Sequence, residues 1–175
     1  MQAWYCETLT GPEDLVFKDT PTPEPGPGEA RIAIRAASLN FPDILIVQGK
    51  YQIKPALPFV PGAEFSGIVE ALGEGVTNLK VGDAVAAMGS VGGFATHACV
   101  KASQLLPLPA GFAVEDGAAF ALTYGTSHHA LVDRAQLKSG ETVLVLGAAG
   151  GVGTSAIQIA KAVGAKVIAA ASTDA

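Results

Sequence analysis

Residues 142–171 read TVLVLGAAGGVGTSAIQIAKAVGAKVIAAA, and this stretch decides the fold of the second half of the chain. Residues 142–146 and 166–171 are continuous apolar runs, which are typical of strands in a parallel sheet that is covered on both faces. Residues 152–163, between them, have the apolar spacing of a helix with one buried side. The sequence therefore predicts a strand, a helix and a second strand parallel to the first.

The turn that joins the first strand to the helix is rich in glycine. Glycine lets the backbone approach a pyrophosphate closely, and the N–H groups and dipole of a helix start favour its negative charge. Ala148 stands where a GxGxxG fingerprint has its first glycine, and a turn that uses glycine only for packing is the alternative interpretation. The residues predicted to bind the cofactor here are Ala149, Gly150, Gly151, Val152 and Gly153.

The tip of the second strand carries hydroxyl groups. In an NAD-binding fold an acidic residue that hydrogen-bonds the ribose lies about 20 residues beyond the glycine turn. This chain has Ala171, Ser172 and Thr173 at that tip, with Asp174 slightly later. Because hydroxyl groups tolerate a 2′-phosphate that a carboxylate repels, Ser172 and Thr173 predict NADP as the cofactor in preference to NAD.

The first part of the chain has a different pattern, because residues 1 to about 113 contain short strand-like segments separated by turn residues. Residues 31–35 alternate so that Ile32 and Ile34 share one face and Arg31 and Arg35 lie on the other, which indicates a strand with one buried face. Residues 114–122 and 126–135 are alanine-rich and compatible with helices. The predicted fold class is therefore α/β with an all-β part.

Composition and charge exclude several classes of partner. Lys and Arg number 11 against 16 for Asp and Glu, a net charge of −5, which argues against nucleic acid as a partner. The two cysteines indicate a reducing compartment, and the first residues do not have the pattern of a signal peptide. Residues 142–160 are uncharged, but they contain four glycines and change period midway, so we expect no membrane span. We expect a cytoplasmic protein.

The second half also resembles a known family. The residues that carry the resemblance are Gly140, Glu141, Leu144, Ala148, Ala149, Gly150, Gly151, Gly153, Gln158 and Lys161. Together they look like the signature of the quinone oxidoreductase (zeta-crystallin-like) branch of the medium-chain dehydrogenase/reductase superfamily. Residues 61–67 and 81–83 resemble further segments of that family, as do Leu122 and Thr123.

This resemblance implies a GroES-like β-barrel domain followed by a Rossmann domain, with the active site in the cleft between them. We place the N-terminal part of the catalytic domain at residues 1–122 and the start of the NADP-binding domain at residues 123–175. We expect the chain to be the first part of its enzyme and inactive alone, because two parallel strands cannot bury both their faces. The complete protein is expected to be a homodimer.

Zinc is not expected. Alcohol dehydrogenases of this superfamily use zinc to polarise an oxygen atom, but at the ligand positions this chain has Asn40 and Ala63. His128 and His129 are adjacent on a predicted helix and are expected to point apart. Without a metal, hydride addition to a quinone or an α,β-unsaturated carbonyl is favoured, because it needs only a proton donor for the developing oxygen anion.

Three further residues are implied by the resemblance. Tyr51 is similar to a tyrosine of metal-free enoyl thioester reductases and is the candidate proton donor, with packing as the alternative. Asn40 and Thr123 match positions near the nicotinamide and its ribose, with a turn residue and a helix cap as the alternatives. Quinone reductases have a tyrosine where this chain has Leu45. An enoyl thioester reductase therefore stays open as an alternative, as does a non-catalytic binding or structural protein.

Overall fold

The computed structural model describes residues 1–89 and 91–172. It divides into two compact units, Met1–Ala119 and Phe120–Ala175. Antiparallel strands build the first unit, and a parallel strand pair with helices builds the second. This arrangement confirms the predicted fold class. The roles assigned to residues 1–122 and 123–175 as domains stay predictions, and Thr173 lies outside the described residues.

The first unit is built on seven described strands. They are β1 (Gln2–Tyr5), β2 (Val16–Asp19), β3 (Glu29–Ala37), β4 (Glu64–Leu72), β5 (Ala84–Met88), β6 (His97–Lys101) and β7 (Leu105–Pro107). β1 pairs with β2, and the other five form one antiparallel sheet in the order β6-β3-β4-β5-β7. The helices of this unit are α1 (Phe41–Val47) and α2 (Val114–Gly117), with 3₁₀ turns at Pro12–Asp14 and Ala102–Gln104.

The main core of the first unit lies against this sheet. Ile32 on β3 is fully buried and packs in a cluster with Phe65, Val69 and Val85. The period-2 alternation of β3 leaves Arg31 on the other face, where it forms ion pairs with carboxylates of Glu24 and Glu70. A second, smaller cluster contains Cys6, Ile46, Val47 and Phe59. α1 contributes to this second cluster, so the cluster fixes the position of the helix.

The second unit contains the predicted crossover. β8 (Thr142–Leu146) and β9 (Lys166–Ala170) pair in parallel, with Thr142 opposite Lys166, and α4 (Gly151–Val163) connects them. α4 ends at Gly164, whose φ of 90° is in the left-handed region that glycine adopts without strain. The strand side chains Leu144, Leu146 and Ile168 are 58%, 75% and 56% exposed. Two strands alone therefore leave much of their apolar surface uncovered.

α3 (Ala121–His128) precedes the crossover and continues as a π-helical segment, His129–Arg134. This corrects the expectation that His128 and His129 point apart. Their Nδ1 atoms lie 3.7 and 3.2 Å from the two carboxylate oxygens of Asp133. The π-helical turn widens the spacing of the backbone hydrogen bonds to five residues, so one carboxylate reaches both neighbouring rings.

Within residues 1–89 and 91–172, the structure contains no group of three or more His, Cys, Asp or Glu side chains arranged to hold a metal ion. In the same part of the chain, no helix has the length and apolar character that crossing a membrane requires.

The close approach of β3 and β4 at Gly67 predicts a strong effect of a single methyl group. A Cβ at Gly67 would overlap the Ala33 carbonyl group and lie 2.8 Å from Ile32 Cγ2. We expect Gly67→Ala to lower the free energy of unfolding by about 1–3 kcal/mol, because the sheet backbone must move. Gly89→Ala is the matched control, since the nearest atom to its new Cβ is 4.0 Å away. Urea unfolding checks both, and equal stabilities of the two variants would contradict the expectation.

Candidate functional site

The turn between β8 and α4 is held by close backbone contacts. Gly147 has a φ of 65°, and the N–H of Gly150 donates to the Gly147 carbonyl over 3.1 Å. A Cβ at Gly153 would overlap the Gly147 carbonyl oxygen and lie 2.8 Å from the Ala148 Cα. The start of α4 therefore packs directly on the turn. Gly153 is buried, so the packing interpretation of the glycines holds for this position.

The other residues of the predicted cofactor turn are open to solvent. Ala149, Gly150, Gly151 and Val152 are all exposed. A Cβ at Gly147 would meet no atom within 4 Å, so the outer face of the turn has free space. The first N–H groups of a helix have no acceptor within the helix. An exposed helix start of this kind fits the pyrophosphate of a dinucleotide.

The structure brings the end of β9 to the same place. The N–H of Ala148 donates to the Ala170 carbonyl over 3.0 Å, which ties the glycine turn to the last residue of β9. Ser172 follows two residues later and is exposed. Since the carboxyl ends of parallel strands share one edge of a sheet, Ser172 and the glycine turn lie on the same edge.

Thr123 also lies beside the turn. α3 packs against α4, and a Cβ at Gly151 would lie 3.1 Å from the Thr123 Cγ2. Two residues that sequence reasoning missed lie between these helices: Ser127 and Ser155 are 2% and 1% exposed, and their hydroxyl oxygens are 2.7 Å apart. A serine within a helical segment gives no signal of its own in the sequence.

In the first unit, Asn40 is the N-cap of α1 and is held by buried acceptors. Its amide nitrogen donates to the Ser38 hydroxyl over 2.8 Å and to Glu64 Oε2 over 3.3 Å. The Ser38 hydroxyl donates to the same Glu64 oxygen over 2.8 Å, and Glu64 is completely buried. Sequence reasoning placed Glu64 in a family segment without a role. The available signal was a carboxylate at the start of a strand that continues with the apolar residue Phe65.

Asp43 is a second buried carboxylate, and it contacts the backbone of Asn40. Its two oxygens accept the backbone N–H groups of Asn40 and Ala63 over 2.8 and 2.9 Å, and the residue is 4% exposed. Burial raises the pKa of Asp43 above its ordinary value, the two N–H groups oppose that rise, and the negative charge of Glu64 adds to it. The loop between β3 and α1 is therefore anchored by two carboxylates.

The residues at the family's zinc positions do not fit zinc. The amide nitrogen of Asn40 donates to protein acceptors, and Ala63 has a methyl side chain without a ligand atom. Zinc sites in proteins are built from thiolate, imidazole and carboxylate ligands. The side chains of Asn40 and Ala63 therefore lack the groups from which protein zinc sites are built.

Asn40 precedes α1, and Tyr51 follows the C-terminal end of the same helix. Its ring is partly buried and packs against the cluster of Cys6, Ile46, Val47 and Phe59. The packing contact that was the alternative interpretation is therefore present, and the role of proton donor stays a prediction. Within the second unit, by contrast, Thr123, the glycine turn and Ser172 converge on one edge of the parallel strands.

Known proteins are similar to this chain in sequence and in fold. Residues 26–110 match the alcohol dehydrogenase GroES-like domain. The chain is 41% identical over 172 residues to a quinone oxidoreductase-like protein 2 homolog of Nematostella vectensis, a match that covers 97% of this chain and 47% of that protein. The quinone oxidoreductase of Thermus thermophilus, solved also as its complex with NADPH, matches with a TM-score of 0.86 and 40% identity over 99% of this chain and 54% of that one.

This similarity over almost the whole chain confirms the resemblance to the quinone oxidoreductase branch of the medium-chain dehydrogenase/reductase superfamily. A CurK enoyl reductase also matches, with a TM-score of 0.88 and 28% identity over 98% of this chain and 54% of that one. The chain spans about half the length of the quinone oxidoreductase relatives that it matches.

The raised pKa of Asp43 predicts a distinctive pH dependence of stability. An acid whose pKa is higher in the folded than in the unfolded chain binds its proton more tightly when folded. Lowering the pH through the interval between the two pKa values therefore raises the free energy of unfolding. We expect the wild-type free energy of unfolding to rise relative to that of Asp43→Asn as the pH falls from about 7 to about 4, the ordinary range of a carboxyl pKa. At neutral pH the variant should lose about 1–3 kcal/mol, since asparagine has one acceptor oxygen for two N–H groups.

Urea unfolding over this pH range measures both effects. Asp83→Asn is the control, because Asp83 also accepts a backbone N–H, from Lys80 over 2.9 Å, at a less buried position. A pH-independent difference between wild type and Asp43→Asn would contradict the account.

Proposed function

We propose that the protein containing this chain is an NADPH-dependent, zinc-independent oxidoreductase that reduces a quinone or an α,β-unsaturated carbonyl. One observation carries the proposal. The glycine turn at the start of α4 is open to solvent, and it lies beside the end of β9, which the exposed Ser172 follows. A homologous quinone oxidoreductase with the same fold has been solved with NADPH, which supports this cofactor. When bound, NADPH supplies the hydride.

The roles of the cofactor residues follow from their positions. Backbone N–H groups of Gly151 and Val152 at the exposed helix start suit the pyrophosphate, and Gly150, whose own N–H donates to the Gly147 carbonyl, lets the phosphates approach the backbone closely. Ser172, with Thr173 next to it in the sequence, is proposed to donate hydrogen bonds to the 2′-phosphate. Thr123, whose methyl group lies beside Gly151, is proposed to bind the ribose next to the nicotinamide.

Asn40 and Tyr51 are the proposed site residues of the first unit. The amide nitrogen of Asn40 donates to Ser38 and Glu64, and its Oδ1 is a carbonyl oxygen with two acceptor sites. Asn40 is therefore proposed to accept a hydrogen bond from the nicotinamide carboxamide. Tyr51 is proposed to donate a proton to the oxygen that gains electron density when hydride adds to the acceptor.

A second candidate function is enoyl thioester reduction. Two observations favour it: Leu45 stands where quinone reductases have a tyrosine, and the CurK enoyl reductase shares the fold with a TM-score of 0.88. Both reactions deliver hydride to a conjugated acceptor and need a proton donor for the resulting anion. They differ in whether the acceptor carries a thioester.

Oxidation of NADPH, followed with a panel of quinones, enones and an enoyl thioester, tests the proposal in the protein that contains this chain. Turnover with quinones or simple enones supports the first function, and turnover confined to the thioester supports the second. Tight NADPH binding without turnover of any acceptor would instead indicate a binding or structural protein on this fold.

The partner of the complete protein is proposed to be a second copy of itself, in the cytoplasm, with a small molecule as substrate. The relationship to quinone oxidoreductases supports the small-molecule substrate. Light scattering on the protein containing this chain measures the number of subunits, and a monomer would contradict the proposed homodimer.

Ser172→Asp tests the assignment of NADP. A carboxylate at this position would repel the 2′-phosphate, so we expect the affinity for NADPH relative to NADH to fall by about tenfold or more. Fluorescence titration with the two cofactors measures this ratio. Ser139→Asp introduces the same charge at an exposed serine near the opposite end of α4 and should leave the ratio unchanged. An unchanged ratio in Ser172→Asp would refute the assignment.

Tyr51→Phe tests the proposed proton donor. The change removes the hydroxyl and keeps the ring that packs on the Cys6 cluster, so we expect a loss of turnover of about a hundredfold with NADPH affinity intact. Tyr5→Phe is the control: it also removes a phenol group, one whose hydroxyl hydrogen-bonds Thr20 over 3.4 Å. Full turnover by Tyr51→Phe would leave Tyr51 with a packing role alone.

A further inference from the structure

The contact between α3 and α4 contains a buried pair of hydroxyl groups. Ser127 on α3 and Ser155 on α4 are 2% and 1% exposed, and their oxygens are 2.7 Å apart. α3 and α4 pack against each other, and both serines are buried in that contact. Two polar groups in such a position cost stability unless both form hydrogen bonds.

The hydrogen bonds of the pair connect the two helices at defined backbone atoms. The Ser155 hydroxyl lies 3.0 Å from the Thr123 carbonyl oxygen and 2.9 Å from that of Val152. The Ser127 hydroxyl lies 3.0 Å from the same Val152 carbonyl oxygen. Each serine has one hydrogen to donate. If Ser127 donates to Ser155, then the Ser155 hydrogen is left for the carbonyl oxygen of Thr123 or of Val152. If Ser155 donates to Ser127, then Ser127 donates to Val152.

Both carbonyl groups belong to residues beside the glycine turn. Val152 is in the first turn of α4, where the N–H groups proposed to bind the pyrophosphate begin. Thr123 faces Gly151, with its Cγ2 3.1 Å from the place of a Cβ at that glycine. The serine pair is thus anchored at the start of α4 on one side and at Thr123 on the other.

We propose that Ser127 and Ser155 are positioning residues for the cofactor site. The pair fixes the position and rotation of the first turn of α4 against α3. The N–H groups of that turn and Thr123 can then bind the pyrophosphate and the ribose of one cofactor molecule. This inference rests on the proposed binding of NADPH at the glycine turn. Neither serine touches the cofactor, because both are buried between the helices.

The structure also indicates which part of the cofactor the pair affects. The adenosine 2′-phosphate is assigned to Ser172 at the end of β9, which is held to the turn through Ala148 and Ala170 and not through the serine pair. Removing one hydroxyl should therefore weaken a ligand that contains the pyrophosphate and leave a ligand without it unaffected. A general loss of folding would weaken both ligands equally.

Ser127→Ala and Ser155→Ala test the proposal in the protein that contains this chain. Each change removes one hydroxyl without adding volume, and alanine favours the helix. The dissociation constants of NADPH and of adenosine 2′-monophosphate are measured by titration calorimetry. We expect the constant for NADPH to rise about fivefold in each variant, the effect of one lost hydrogen bond, and that for adenosine 2′-monophosphate to stay within about twofold.

Ser139→Ala is the matched control, because Ser139 lies near the far end of α4 and is exposed. Its NADPH affinity should equal that of wild type. If Ser155→Ala does not fold, Ser127→Ala tests the other half of the same pair. Unchanged NADPH affinity, or equal weakening of both ligands, would overturn the positioning role while leaving the proposed function intact. A wild-type protein that binds no NADPH would overturn both.

Discussion

No side chain fits where the start of α4 meets the turn that precedes it. The Gly147 carbonyl oxygen and the Gly153 backbone are so close that a Cβ on Gly153 would overlap that oxygen. This approach brings the first N–H groups of α4 to the edge where β8 and β9 end, and the same glycine content leaves the outer face of the turn open. The close backbone contact therefore explains both the packing of α4 on the turn and the open surface for a ligand. Different residues of the turn serve these two roles.

Buried carboxylates determine the loop around Asn40 in the first unit. Glu64 binds the side chains of Ser38 and Asn40, and Asp43 binds the backbone N–H groups of Asn40 and Ala63. Charged groups are buried only when hydrogen bonds compensate their lost hydration. The loop is consequently specified by polar contacts, which fix the side chain of Asn40. The serine pair of the second unit follows the same principle with neutral hydroxyl groups.

Local periodicity predicted the parts of the fold in which side chains repeat. The runs that became β8 and β9, the helix between them and the alternation of β3 are examples, because strand and helix periods are visible in the residues themselves. The glycine turn and Ser172 were likewise predicted to belong to one site, since parallel strands end at one edge. The roles of Ser127, Ser155 and Glu64 depend on which distant residue each meets, and that information is absent from local spacing. The π-helical segment, which turns His128 and His129 to one carboxylate, has no periodic signal either.

Hydrogen–deuterium exchange of the protein containing this chain, with and without saturating NADPH, measures the central claim most directly. N–H groups that bind a pyrophosphate are withdrawn from exchange with solvent. The account predicts slower exchange on NADPH addition in peptides covering residues 147–155, at the glycine turn and the start of α4, with little change in β5 (Ala84–Met88), which lies in the other unit. Protection that is absent from residues 147–155 while NADPH is bound would contradict the account, because the cofactor would then lie elsewhere.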